Sequence, residues 1–236
     1  MRAITLVLLL LLGLNGFSQQ EAKTFESTYT VSAEMDYLLY VPASYKENAN
    51  KEYPLMMFLH GAGERGDEIN LVKVHGPPKL AEKDNWEFIV ISPQCKSSDY
   101  WNSEGNLQML SRLITMVEEN YRVDESRIYL TGLSMGGYGS WALAAKEPDR
   151  FAAVAPICGG GDPSMAEKYK NTPVWVFHGA KDSVVPIVRS EEMVDAIKEY
   201  NPDIKFTIYL EAGHDSWTET YNNEELYSWF LSNSLK

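Results

Sequence analysis

Two cysteines and four histidines are all that 236 residues contain of those types, and 21 lysines and arginines face 33 aspartates and glutamates. A net charge of −12 gives little general attraction to nucleic acid or to anionic membrane, and no basic stripe reverses that balance. His75, His178 and His214 lie far apart in the sequence with no carboxylates at ligand spacing, so a catalytic metal is not expected. Cys95 and Cys158 form an even pair, which leaves one disulfide open in an oxidising compartment. Neither thiol has a histidine arrangement that makes it a better nucleophile than a serine. Internal repeats and low-complexity tracts are absent.

One long apolar run exists, residues 3–14. It follows Arg2 and ends in Gly16-Phe17-Ser18, the pattern of a cleaved secretory signal over residues 1–18. A spanning helix needs about 20 apolar residues, and no cysteine stands near the cleavage point to carry a lipid. The expected product is soluble and exported, secreted or periplasmic. Arg2 is the only charge in residues 1–18, so the rest of the chain carries −12 − 1 = −13. Its composition, 44% hydrophobic and 23% charged in the whole chain, is ordinarily globular, and residues 19–236 are read as one domain.

The most informative stretch is Gly132-Leu133-Ser134-Met135-Gly136. An apolar, β-branched run precedes it at 127–131 and a helical run follows at 138–146, so Ser134 sits on a strand-to-helix turn that small neighbours two positions away make feasible. Such a turn exposes a nucleophilic oxygen at the start of a helix, where developing negative charge is favoured. Upstream, the apolar strand at 54–59 runs into His60-Gly61-Ala62-Gly63-Glu64-Arg65-Gly66. Here the N–H of Ala62, or less favourably of Gly61, can join that of Met135 as an oxyanion hole. His60 is read as a hydrogen-bonding support beneath that loop, and His75 as a surface residue.

Downstream, strands are expected at 152–157, 174–177 and 205–210, with His178-Gly179-Ala180-Lys181-Asp182 and Gly213-His214 after the last two. His214 would take the proton from Ser134, with Asp182 fixing its tautomer. Asp162 and Asp215 are rival acids: the first must reach farther, and the second adjoins the histidine in sequence. His178 is a weaker candidate base because it precedes the acid. Further strands are expected at 25–31, 37–41 and 88–92, and helices at 106–119 and 223–235. The connection at 158–173 is too short for a sizeable cap, so the site should be open. Trp101, Trp217 and Glu64 are the candidate substrate contacts.

From about Asp36 onward, these motifs resemble the α/β-hydrolase superfamily. More narrowly, they resemble exported esterases related to feruloyl esterases, acetyl xylan esterases and polyhydroxybutyrate depolymerases. The resemblance implies an α/β fold with a mostly parallel eight-stranded sheet in the order 1-2-4-3-5-6-7-8, flanked by helices. It implies a serine carboxylesterase that needs no cofactor and acts on feruloyl or acetyl esters of plant carbohydrate, with activity rising as the catalytic histidine loses its proton. A peptidase with the same triad and a non-catalytic carbohydrate-binding protein are the competing expectations.

Overall fold

The structure, a computed structural model, describes residues 32–84 and 86–235. The signal segment expected at 1–18 and the strand expected at 25–31 both lie outside those residues. Seven strands form one sheet: β1 (Tyr37–Tyr40), β2 (Tyr53–Leu59), β3 (Ile89–Pro93), β4 (Val123–Leu133), β5 (Ala153–Ile157), β6 (Trp175–Gly179) and β7 (Lys205–Tyr209). Their order is β1-β3-β2-β4-β5-β6-β7. This is the expected order with its first strand left out. β1 is antiparallel to β3 and every other pairing is parallel. The parallel strands therefore finish at one edge, and the loops after β2, β4, β6 and β7 meet there.

The central strands are apolar throughout, as a sheet covered on both faces requires. Along β2, Leu55, Met57 and Leu59 enter one core layer while Met56 and Phe58 enter the other. The first layer lies under α2 (Glu104–Asn120), α3 (Met135–Lys146) and α4 (Val188–Lys198). The second lies under α1 (Gly76–Asp84), α5 (Trp217–Tyr221) and α6 (Glu224–Leu231). α2 follows the expected periodicity: Leu107, Leu110, Leu113, Ile114 and Val117 are buried, and Ser103 caps its start by accepting from the Asn106 N–H at 3.3 Å. α4 was not anticipated, although Met193, Val194 and Ile197 bury at helical spacing.

Cys95 and Cys158 are both free and buried, on opposite faces of the sheet. The disulfide left open above is therefore not formed. Burial pushes the two thiols up to about 11 and about 12 respectively, which keeps them protonated. Among the described residues, no helix is long and apolar enough to cross a membrane.

Candidate active site

Ser134 follows the last residue of β4 and precedes the first of α3, with φ 53° and ψ −115°. That conformation is strained for any residue with a Cβ. The strain persists because the flanking backbone is packed too tightly to relax. A Cβ on Gly132 would stand 2.4 Å from the Gly136 carbonyl oxygen, and one on Gly136 would stand 1.9 Å from the Leu59 carbonyl oxygen. The first turn of α3 thus rests directly on the end of β2. Gly136→Ala should therefore cost about 3 kcal/mol or more, because backbone cannot move aside as a side chain can. A denaturant melt of the variant checks this, and an unchanged midpoint contradicts it.

The loop after β6 brings Asp182, and the loop after β7 brings His214. Backbone bonds join the two loops, from Ala180 N–H to Tyr209 O at 2.9 Å and from Lys181 N–H to Ala212 O at 3.0 Å. His214 Nδ1 lies 2.7 Å from Asp182 Oδ2, and His214 Nε2 lies 3.0 Å from Ser134 Oγ. A carboxylate opposite Nδ1 holds the proton there, leaving Nε2 free to accept one from Ser134. Asp182 Oδ1 accepts from the N–H groups of Val184 and Val185 at 2.8 and 2.9 Å. Burial alone pushes the Asp182 carboxyl up, but its bonds from His214, Val185 and Val184 outweigh that and hold it below the usual range.

The rival residues have other partners. Asp162 caps the turn Pro163–Tyr169 by accepting from Ser164 N–H at 3.0 Å. Asp215 accepts from Thr218 N–H at the start of α5, also at 3.0 Å. His178 is fully buried, with Nε2 2.9 Å from Val185 O and 3.2 Å from Asp182 Oδ2. It therefore lies under the acid and cannot reach the serine.

The loop after β2 is held from beneath. His60 donates through Nδ1 to Gly61 O at 2.6 Å and accepts through Nε2 from Cys95 N–H at 3.0 Å. Those bonds need the neutral ring. Burial, offset in part by the Gly61 bond, lowers its pKa from 6.5 to about 4. An unfolded chain would bind this proton first, so the stabilisation is complete above about 6.5 and is lost as pH falls towards 4, by roughly 3 kcal/mol in all. Unfolding free energy measured across that window should fall with pH, and His60→Gln should flatten the slope. An equal slope in the variant would assign it elsewhere.

Of the three expected substrate contacts, Trp101 is a correction. It is 0% exposed, its N–H donates to His60 O at 3.0 Å, and its ring meets the His60 ring at 5.0 Å. It packs beneath the loop and offers no face to a ligand. Trp217 is half-buried, with its ring edge-on to His214 at 5.2 Å and to His75 at 5.5 Å. Glu64 Oε1 lies 3.9 Å from His75 Nε2. Glu64 Oε2 and the Trp217 indole nitrogen are buried without a hydrogen-bond partner among the described residues.

The pocket at the serine, about 310 Å³, is lined instead by Tyr100, Asn102, Met135 and Tyr138. Tyr100 is 55% exposed, with the Arg65 guanidinium 4.9 Å from its ring centre. Tyr100 and Trp101 are adjacent aromatics in one loop, and nothing in their types says which turns inward. Asn102 and Tyr138 carry no sequence signal of their own.

The strand order, the strained serine turn and the Ser134–His214–Asp182 arrangement define an α/β-hydrolase fold. The sequence pattern of the Dienelactone hydrolase family matches residues 93–227, and the chain belongs to that family. It is 29% identical to a probable feruloyl esterase C from Aspergillus flavus, over 64% of this chain and 56% of that protein. It is 23% identical to a bifunctional acetylxylan esterase/xylanase from Neocallimastix patriciarum, over 82% of this chain and 28% of that protein. The crystal structure of a thermostable esterase superposes with a TM-score of 0.77 at 36% identity, covering 86% of this chain and 60% of that one. The chain thus spans about half or less of the length of these curated relatives.

Proposed function

We propose that this chain is an exported serine carboxylesterase that removes feruloyl or acetyl groups from plant polysaccharides or oligosaccharides. The observation that carries the reading is the continuous line from Asp182 Oδ2 through His214 to Ser134 Oγ, at 2.7 and 3.0 Å. Ser134 attacks the ester carbonyl as His214 Nε2 takes its proton, and the imidazolium is stabilised by the Asp182 carboxylate. The carbonyl oxygen becomes an oxyanion facing the N–H groups of Ala62 and Met135. Each begins a helical turn, where the first N–H groups have no intrahelical acceptor. His214 then protonates the departing sugar oxygen. Water deprotonated by the same nitrogen hydrolyses the acyl-serine and returns the free acid.

The similarity to a feruloyl esterase and an acetylxylan esterase supports the carbohydrate ester as substrate, and the pattern of residues 1–18 supports export. The test is to incubate the purified protein with feruloylated and acetylated xylan fragments and a model peptide. A rapid quench during turnover should give an acyl mass on the peptide containing Ser134. Release of ferulate or acetate with that adduct supports the reading. Peptide cleavage without ester turnover would overturn the substrate class, and no turnover would favour a binding protein.

A further inference from the structure

Glu64 ends the short turn Ala62–Glu64 in the loop after β2, two residues beyond Ala62, the proposed oxyanion donor. Gln94 holds its backbone in place, donating from its side-chain amide to the Glu64 carbonyl oxygen at 2.8 Å. The side chain folds back over Gly61: a Cβ on Gly61 would stand 3.2 Å from Glu64 Oε2 and 2.7 Å from Leu133 Cδ1. The carboxylate therefore lies beside Leu133, the residue that precedes the nucleophile. From there a line of contacts runs round to the base. His75 Nε2 is 3.9 Å from Glu64 Oε1, the His75 ring is 5.5 Å from that of Trp217, and the Trp217 ring is 5.2 Å from that of His214. Carboxylate and base thus stand at the two ends of one wall beside Ser134.

This carboxylate has acceptor capacity to spare. At 3.9 Å, His75 is beyond hydrogen-bond reach. Arg65, next in the chain, is engaged with the carbonyl oxygens of Ala62 and Asp99 and with the Tyr100 ring. Oε2 is buried with no hydrogen-bond partner among the described residues. An acceptor left that way costs stability, and a negative charge near a developing oxyanion opposes it in both half-reactions. Acylation by Ser134 gives such a group nothing to do. Deacylation does, because the water that attacks the acyl-serine gives one hydrogen to His214 Nε2 and its other hydrogen needs an acceptor. An alcohol attacking the same carbon carries an alkyl group in place of that second hydrogen.

We propose that Glu64 accepts the second hydrogen of the deacylating water and so makes the acyl-enzyme prefer water to an alcohol. The role rests on the serine esterase reading and adds to it the group that separates hydrolysis from acyl transfer. The water oxygen bonds to the acyl carbon, and its first proton passes to His214 and on to Ser134 Oγ as the bond from carbon to Oγ breaks. The acid leaves with the second hydrogen. Glu64 gains no proton overall; it orients the water.

A partition experiment tests this. p-Nitrophenyl acetate acylates Ser134, and in a fixed mixture of water and methanol the acyl-enzyme yields acetate or methyl acetate, measured at early times with the Ser134→Ala background subtracted. Glu64→Leu should raise the ratio of methyl acetate to acetate at least tenfold, since the lost bond is one to a charged acceptor. Glu64→Gln keeps the shape without the charge and should give a ratio between that of wild type and that of Glu64→Leu. A loop merely loosened by the substitution slows both nucleophiles alike, and removing a charge that opposes the oxyanion speeds both alike, so neither moves the ratio. An unchanged ratio in the two variants overturns the role of Glu64 and leaves the esterase reading intact. Where Glu64→Leu fails to fold, Glu64→Gln decides alone, and a wild-type ratio there overturns the role. A wild type that forms no Ser134-dependent acetate from this ester overturns the esterase reading and the role with it.

Discussion

Ser134→Ala should leave a folded protein whose ester turnover is lower by at least about 10⁴-fold, with little change in binding of the unreacted substrate. Removing a triad nucleophile ends covalent catalysis, while the oxyanion donors and substrate contacts sustain only a remnant above the uncatalysed rate. The fold should survive because Ser134 Oγ caps no helical N–H. Its bond is to His214 Nε2, partly exposed and worth about 1 kcal/mol. Stability offers a second check at the same position. With φ 53° and ψ −115°, alanine inherits the strain of serine whereas glycine does not, so Ser134→Gly should be the more stable of the two inactive variants by about 1 kcal/mol. Kinetics on a feruloyl or acetyl ester together with melting curves of the three proteins decide both points. Retention of more than a hundredth of the activity in Ser134→Ala would mean that another group attacks the carbonyl.

Much of this site was legible because the chemistry imposes local patterns. A serine on a turn that tight needs glycine two positions either side, and Gly132 and Gly136 announce it. An apolar run that stops at His60-Gly61 or at His178-Gly179 marks a parallel strand reaching the same edge of the sheet. What stayed hidden depends on which face meets which. Trp101 turns inward because the His60 carbonyl oxygen stands where its indole N–H can reach it, a relation across 41 positions that residue type does not encode. His178 precedes the acid in the chain, and its contact with Asp182 comes from the curl of the loop between them. A cavity beside α3 is assembled from α2, α3 and the turn after β5, and none of these shows a pocket alone. The helix α4 has an apolar periodicity in Met193, Val194 and Ile197 that is short and flanked by polar residues, so its burial follows from the neighbours it covers.

Asp182→Asn should lower kcat by about 10³- to 10⁴-fold, the loss found when the acid of such a triad becomes an amide. The geometry gives the reason. Asp182 Oδ1 accepts from Val184 and Val185 N–H, so an asparagine places its oxygen there and its NH₂ where Oδ2 stood. That NH₂ then points at His214 Nδ1, which must give up its proton to accept the bond. The remaining proton moves to Nε2, facing Ser134 Oγ, and the base is lost although every heavy atom stays in place. His178 Nε2, 3.2 Å from Asp182 Oδ2, disfavours the amide nitrogen further, because its other contact, the Val185 carbonyl oxygen, already requires a proton on Nε2. The same carboxylate leaves a mark on stability. Its pKa is depressed in the fold, so its contribution is present above the ordinary aspartate range and is lost as pH falls through the lower native value. Asp182→Asn should therefore lose that increment of stability at neutral pH, together with the activity, and converge with wild type at strongly acidic pH, where the carboxylate's contribution is already gone. A variant that kept its kcat would show that His214 is oriented without Asp182. A variant inactive but identical to wild type in its acid unfolding would separate the catalytic role of the carboxylate from its place in the fold.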